Sequence, residues 1–435
     1  MKRVFMFILP MVLIVALSLS CLSVSAADYG CDVTTSSSVV YLENLNTGTV
    51  VYEKNSSEKI PPASLTKIMT YIVVAENVPD LENTEITITQ EALADLDPES
   101  SVMGLTGYIG ESFSVLELLY GLMLPSGNDA ALVLADYVGD GLVENFVDMM
   151  NRKAGQLSCT GTHFVNPHGL YDSMHYSTAK DLAVITKYAF EKPYFSDITS
   201  TSRYKVDGMA EILETTNYLI DPTYPHYYYE YAQGVKTGYT DEAGKCLVSV
   251  AQNGDYRYLG ITLGSPYSYA EDINYAMLDS KALYSWAFDN ISFVEILPAG
   301  DVIKTFGVEF VWGNKAVAGV ADGAVTALLP ANYDESLVTT EVDLPPYVSA
   351  PIEKGEVFGT ITVYYDGELV GKTNVVSAEQ IERDETNYLM HRFIGFVVNN
   401  IIWIVIVLAI VIVFMFMYIS SRKRRKRRQS RYRYR

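Results

Sequence analysis

The pattern of apolar and polar positions divides the chain into distinct textures. Between residues 38 and 53, Val39-Val40-Tyr41-Leu42 and Thr49-Val50-Val51-Tyr52 flank Asn46-Thr47-Gly48 and predict a β-hairpin. Apolar residues then recur at three- and four-residue spacing: Ile68, Tyr71, Ile72 and Ala75 follow Pro61-Pro62 and predict a helix opening at Ser64. The same periodicity predicts helices over 115–123, 130–138, 142–157 and 178–190. Strand texture returns at Gly234-Val235-Lys236-Thr237, at 246–251 and at 256–263, the last two joined by Asn253-Gly254, a strong hairpin signal. A helix over 269–288 closes this part. Strands at both ends with helices between predict an α+β domain over 34–290: an antiparallel sheet covered by helices, with a helical insertion.

From residue 291 onward the texture is short β-rich runs, 306–311, 316–320, 338–342, 357–365 and 369–375, separated by Gly, Pro and Asn. They predict a small all-β domain over 291–385, with the duty of a stalk. Residues 393–419 are almost uninterruptedly apolar, with Asn399 and Asn400 the strongly polar members, and exceed the roughly 20 residues a spanning helix needs. The segment 422–435 carries ten Lys or Arg and no acid, so the tail 420–435 is expected in the cytoplasm, with everything before the span outside it. At the other end, Lys2 and Arg3, an apolar run over 4–19 and Val24-Ser25-Ala26 have the layout of a cleavable secretory signal over 1–26. A lipoprotein signal at Cys21 is the rival, which Ser18-Leu19-Ser20 fits poorly. The expected location is the cell membrane, single-pass, with the chain ahead of the span outside the cytoplasm.

Composition narrows the partners. With 49% hydrophobic and 12% aromatic residues in 435, a sizeable core is available. Without Lys2, Arg3 and the ten tail bases, 20 basic residues face 52 acids, a deficit of 32 that makes nucleic acid and anionic lipid surfaces poor partners. Cys31, Cys159 and Cys246 are too few for a disulfide framework, and no His or Cys cluster has metal-ligand spacing, so no cofactor or metal is expected.

Five Ser-x-x-Lys pairs occur, at Ser56, Ser64, Ser177, Ser202 and Ser420, and context chooses among them. At Ser64-Leu65-Thr66-Lys67 the pair opens a helix, where the spacing places hydroxyl and amine on one face. A neutral amine there can take the hydroxyl proton and let the serine attack a carbonyl. The helix N-terminus adds a positive field and free backbone donors for an oxyanion. Ser126-Gly127-Asn128 lies between two predicted helices, and Lys236-Thr237-Gly238 lies on a strand. Together the three motifs resemble the active site of serine penicillin-binding proteins and β-lactamases. Pro62-Ala63-Ser64-Leu65-Thr66-Lys67-Ile68-Met69-Thr70, Asn166-Pro167-His168-Gly169-Leu170, His175-Tyr176-Ser177-Thr178-Ala179 and Gly234-Val235-Lys236-Thr237-Gly238-Tyr239-Thr240 look like the D-alanyl-D-alanine carboxypeptidase family of low-molecular-mass penicillin-binding proteins, over about 39–288. That family's usual layout includes a β-rich second domain and a C-terminal membrane anchor.

The resemblance implies a serine carboxypeptidase acting on peptidoglycan peptide stems in cell-wall biogenesis, with β-lactams as covalent inhibitors. It implies Ser64 as nucleophile, Lys67 as general base and Ser126 as proton relay to the leaving group. Asn128 would orient Lys67 and the substrate amide. Lys236 and Thr237 would hold the terminal carboxylate, with Gly238 completing the motif, and the backbone amides of Ser64 and Tyr239 would form the oxyanion hole. A like charge on Lys236 would disfavour protonated Lys67. His168, in a tight turn between Pro167 and Gly169, reads as structural rather than as a base. The tyrosines 224, 227, 228, 229 and 231 could line a cleft or pack over the sheet. One departure stands out: several relatives carry an arginine where Leu263-Gly264-Ser265-Pro266 has none, so Lys236 and Thr237 act alone, or Arg257 or another base substitutes. A β-lactamase would need a glutamate-bearing loop that Asn166-Pro167-His168-Gly169-Leu170 does not provide. Endopeptidase action on cross-links and a non-catalytic wall-binding scaffold are the alternatives.

Overall fold

The computed structural model describes residues 29–268 and 273–431. The signal expected over 1–26 lies outside the described residues, as do 269–272 of the expected 269–288 helix and the last four residues of the basic tail. The chain divides into two compact units, one running to Ser292 and including Leu329–Asn332, the other comprising Phe293–Leu328 and the chain from Tyr333 onward.

In the first unit five strands form one antiparallel sheet in the order Thr49–Lys54, Val39–Asn44, Tyr256–Ser265, Gly244–Asn253, Ala232–Thr240. The two strands joined at Asn253-Gly254 sit in or beside the centre and are buried along most of their length, so each must be covered on both faces. Alternation along Tyr256–Ser265 shows how. Leu259, Ile261 and Leu263 enter the main hydrophobic core on one face. On the other, Thr262 Oγ1 donates to the Ala276 carbonyl of the Tyr275–Asn290 helix at 3.1 Å. Gly260 lets that helix approach: a Cβ there would sit 2.6 Å from the Tyr284 hydroxyl.

The helical part is built around Thr66–Asn77, whose residues from Thr66 to Val74 are all buried. Val115–Met123, Asn128–Val138, Val143–Gln156 and Ala179–Ala189 pack around it. Two starts are written into the sequence. Ser114 and Glu117 form a reciprocal capping box, and the Thr178 hydroxyl accepts from Asp181 N. Four strand pieces of three residues each, Glu85–Thr87 with Ser112–Ser114 and the hairpin of Arg203–Lys205 with Ile212–Glu214, were not legible as periodicity. Of the tyrosines before the edge strand, Tyr227 and Tyr229 pack over the sheet, while Tyr224 is exposed. Tyr227 belongs to a buried cluster with Leu219, Leu247, Ala276 and Met277, and Tyr229 stacks on Tyr284.

The second unit holds a six-stranded sheet in the order Val338–Asp343, Val357–Tyr365, Glu368–Ser377, Ala316–Ala321, Val302–Glu309, Tyr347–Ser349, packed about Phe306, Val317, Ile352 and Ile381. Tyr347–Ser349 pairs in parallel with Val302–Glu309 and follows Pro345-Pro346, which hid it in the sequence. Beyond the sheet the apolar run is shared between two helices, Glu385–Asn399 and Ile401–Arg431, separated at Asn400. Ile401–Arg424 is long and apolar enough to cross a membrane.

Candidate active site

Ser64 sits in the single 3-10 turn Ala63–Leu65 immediately ahead of the Thr66–Asn77 helix. The turn is held from below: Thr66 Oγ1 donates to the Ala63 carbonyl at 2.8 Å and pairs with His175 Nε2 at 2.8 Å. His175 Nδ1 accepts from Val165 N, so its ring is the neutral tautomer with the proton on Nε2. Burial lowers its pKa to about 4. Ala63 lies at φ 49°, a conformation that side chains other than glycine adopt at a cost and that clusters at functional sites. The turn leaves Ser64 only half-buried while Lys67 is fully enclosed.

Lys67 Nζ lies 3.0 Å from Ser64 Oγ, 2.6 Å from Asn128 Oδ1 and 2.8 Å from the His168 carbonyl. A neutral amine has two N–H donors and one lone pair. The two carbonyl oxygens use both donors, and the third direction meets a hydroxyl that can donate. Burial first, then the nearby Lys236 charge, push the Lys67 pKa well below its ordinary value, against a smaller opposing effect of Asp129. Both effects favour the neutral amine, and the arrangement is that of a base beside a nucleophile.

Asn128 opens the Asn128–Val138 helix, and Ser126 stands two residues before it at φ 64° with its hydroxyl buried and without a hydrogen-bond partner among the described residues. A strained backbone and an unpaired buried hydroxyl at one residue indicate a group held ready for a partner. Asp129 fixes this turn. Its carboxylate, fully buried, accepts from Met103 N, Gly104 N, Leu105 N and Ala130 N at 2.8–2.9 Å. Sequence reasoning passed over Asp129, although an acid in the first turn of a helix that starts inside an active-site motif is a recognisable anion position.

The edge strand Ala232–Thr240 supplies the opposite wall. Lys236 is buried, with its ammonium donating to the Thr237 carbonyl at 3.0 Å, and burial lowers its pKa to about 7. Thr237 Oγ1 pairs with the Thr216 hydroxyl, and Thr216 N donates to the Leu124 carbonyl, which ties this wall to the Ser126 segment. Thr216 lies in no motif and was not singled out. Gly238 is where the strand meets the serine turn: a Cβ there would stand 3.1 Å from the Pro62 carbonyl oxygen and 3.2 Å from Ser64 N. The Tyr239 ring is partly exposed, its hydroxyl donating to Asp241 at 2.7 Å.

The loop at Asn166-Pro167-His168-Gly169-Leu170 closes the back of the pocket. Asn166 Oδ1 accepts from Gly169 N, and Thr70 Oγ1 donates to the Pro167 carbonyl. Gly169, at φ 94°, presses on the serine turn so closely that a Cβ would lie 1.9 Å from the Ala63 carbonyl oxygen. The His168 ring is buried, accepts from Leu170 N, and has its pKa lowered to about 3, mainly by burial. Its ring is structural, whereas its carbonyl touches Lys67 directly, which no side-chain reading could find.

Arg257 does not fill the place of the absent arginine. It pairs with Gln252, whereas Lys236 pairs with Val248 and Val248 with Ile261. It is therefore four residues along the sheet, about 13 Å, and two strands over from Lys236. Its guanidinium carbon lies 4.9 Å from the centre of the Phe190 ring. The cation that flanks the site on this sheet is Lys245, which pairs with Tyr239 and whose ammonium lies 4.1 and 4.2 Å from the centres of the Tyr239 and Tyr267 rings.

Comparison with known proteins gives concordant matches. The family model described as D-alanyl-D-alanine carboxypeptidase matches residues 24–266, and that of the penicillin-binding protein 5 C-terminal domain matches 293–383. The D-alanyl-D-alanine carboxypeptidase DacF of Bacillus subtilis is 30% identical over 80% of this chain and 86% of its own. DacC of Escherichia coli is 32% identical over 77% and 82%. Among solved structures, penicillin binding protein 5 from Haemophilus influenzae superposes with a TM-score of 0.60 at 28% identity, covering 81% of this chain and 99% of that one. The Streptomyces K15 DD-transpeptidase gives 0.54 at 30%, covering 60% and 99%.

Proposed function

Because the chain belongs to the D-alanyl-D-alanine carboxypeptidase family of serine peptidases, we propose that it removes the terminal D-alanine from peptidoglycan pentapeptide stems through an acyl-enzyme on Ser64. The observation that carries the reading is the Lys67 amine, 3.0 Å from Ser64 Oγ and held well below its ordinary pKa by burial and the Lys236 charge.

In this mechanism Lys67 takes the Ser64 proton as Oγ bonds to the carbonyl carbon of the penultimate D-alanine. The backbone amides of Ser64 and Tyr239 receive the oxyanion. The C–N bond breaks, the proton reaches the departing amine through Ser126, and D-alanine leaves. Lys236 and Thr237 hold its carboxylate, a charge-assisted contact that fixes the peptide in register with the nucleophile. Asn128 orients Lys67 and the substrate amide. Water, with Lys67 again as base, then cleaves the ester, releasing the shortened stem and restoring the Ser64 hydroxyl. Asp129 acts through others, since its bonds to the 103–105 backbone hold the Ser126 turn. β-Lactams, which carry a carboxylate beside a reactive amide, would acylate the same serine. The apolar helix supports a single-pass membrane anchor, with this site on the wall side and the basic tail in the cytoplasm.

The test is incubation of the purified chain with a stem pentapeptide ending in two D-alanines, scoring free D-alanine, beside labelling with a fluorescent penicillin. Wild type should release D-alanine and carry a covalent label, and Ser64→Ala should do neither. A labelled wild type that releases no D-alanine would refute the carboxypeptidase assignment, and no label at all would favour a non-catalytic scaffold.

A further inference from the structure

Trp312, 80% exposed, stands on the turn that joins the Val302–Glu309 and Ala316–Ala321 strands, and is more open than any apolar side chain of the Ile401–Arg424 span. The tip of the turn is clear of the rest of the unit: a Cβ on Gly313 would meet nothing within 4 Å. Its base is bolted to the Glu385–Asn399 helix. Asp384 N donates to the Phe310 carbonyl at 2.8 Å, and Asn387 Nδ2 donates to the Val311 carbonyl at 2.9 Å. The Phe310 ring meets those of Tyr388 and His391 edge to face, with centres 5.3 and 5.5 Å away. The turn that carries Trp312 is thereby fixed beside the first two turns of that helix.

Those turns lead directly into the apolar run. Leu389, Met390, Phe393 and Ile394 are each more than half exposed, and no residue of this helix is buried. Asn387 precedes Phe393, where the run 393–419 begins, by six residues, about 9 Å at 1.5 Å each. The headgroup layer between hydrocarbon and water is roughly 5–8 Å thick on each side. Trp312 therefore stands at the depth where the chain passes from water into lipid. Tryptophan is favoured at that depth, its ring in the apolar boundary and its N–H toward water. The nearby charges agree. Lys315 and Arg392 are exposed and can reach headgroup phosphates, while Asp384 caps the helix and Glu385 is paired with Arg383 at 2.6 Å.

We infer that the Trp312 turn is a second membrane contact of the β-rich unit, seated in the headgroup layer of the leaflet that the span enters. The inference rests on the membrane-anchor reading and adds to it. A single helix leaves a folded unit free to swing about its point of entry, and a second contact fixed to the same unit restricts that swing. One ring is too small to anchor the chain, so the turn orients what the helix has already brought to the lipid. Because the contact is apolar, the acidic charge of the chain ahead of the span does not oppose it.

The experiment places the full-length chain in phosphatidylcholine vesicles whose acyl chains carry bromine, a quencher of tryptophan emission, either close to the headgroup or close to the chain end. The chain has three tryptophans, Trp286, Trp312 and Trp403. Subtracting the emission of Trp312→Phe from that of wild type isolates Trp312, and Trp403→Phe does the same for the span. Both are exposed positions, where the exchange costs the fold little. Trp312 should emit at a shorter wavelength than tryptophan in water, lose more emission to the shallow bromine than to the deep one, and be shielded from aqueous iodide. Trp403 should also be quenched by lipid bromine. Quenching of Trp403 with Trp312 emitting as in water, open to iodide and untouched by either bromine, would overturn the inference while leaving the anchor standing. Stronger quenching of Trp312 by the deep bromine would overturn it as well, because the ring would then lie in the hydrocarbon. If lipid bromine quenched neither tryptophan, the anchor reading would fall together with the inference.

Discussion

Two lysines share the buried space around Ser64, and the proposed reaction needs them in opposite states: Lys67 neutral to accept a proton, Lys236 charged to hold a carboxylate. Protonation of Lys67 removes the base, so acylation by a penicillin should rise with pH through the lowered Lys67 pKa. It should fall again as Lys236, lowered to about 7, gives up its charge. The Lys236 charge is one cause of the lowered Lys67 pKa, and removing it must let Lys67 hold its proton to higher pH. Lys236→Gln is accordingly expected to slow acylation and to move the acid limb of its pH profile upward. An acid limb left in place would mean that Lys67 is neutralised by burial alone. Asp129 gives a second prediction at this scale. Asp129→Ala strips the acceptor from the N–H groups of Met103, Gly104 and Leu105 and should cost roughly 3 kcal/mol in thermal or denaturant unfolding, with Asp129→Asn losing less because one oxygen remains.

Between elements, the site depends on close backbone approach at glycines, and two of them separate strain from contact. Gly169 and Gly110 have nearly equal positive φ, 94° and 92°, so an added methyl costs each about 1 kcal/mol or more in backbone conformation. At Gly110 nothing lies within 4 Å, whereas at Gly169 the methyl would meet the Ala63 carbonyl oxygen. Gly169→Ala should therefore destabilise by about 2 kcal/mol more than Gly110→Ala and should also slow acylation, because the displaced atom belongs to the turn that carries Ser64. Equal losses in the two variants would show that the loop does not bear on that turn. The same distinction explains what the sequence could reveal. Val115–Met123 was legible because its period and its Ser114/Glu117 box agree, and the central strands because Asn253-Gly254 marks their hairpin. The three-residue hairpin strands Arg203–Lys205 and Ile212–Glu214 are too short to show a period. Within the site, Ser64, Lys67, Asn128 and Lys236 were readable as side chains in motifs. The His168 carbonyl, the Asp129 anchor and the Thr216 hydroxyl act through backbone or across the fold, and a linear pattern carries no trace of such partners.

At the scale of the whole molecule, the C-terminal apolar helix fits a membrane anchor. Ile401–Arg424 offers 24 helical residues, about 36 Å at 1.5 Å each, against a hydrocarbon core of roughly 30 Å, so the span can cross with some tilt. Ile402, Trp403, Phe414 and Phe416 are each more than 65% exposed, a surface that water does not tolerate in a helix standing alone and that lipid accepts without cost. The acidic charge of the remaining chain makes an electrostatic hold on anionic lipid unfavourable, so the apolar helix is the attachment to test. Full-length protein mixed with phosphatidylglycerol/phosphatidylethanolamine vesicles during detergent removal should float with them through a density gradient and stay bound in 1 M salt. A chain ending at Arg383 should remain at the bottom while releasing D-alanine from soluble pentapeptide at the full-length rate. If the shortened chain still floated, another surface would be the anchor. If it lost turnover on the soluble substrate, the helices beyond Arg383 would matter to the fold of the enzyme and not only to its place in the cell.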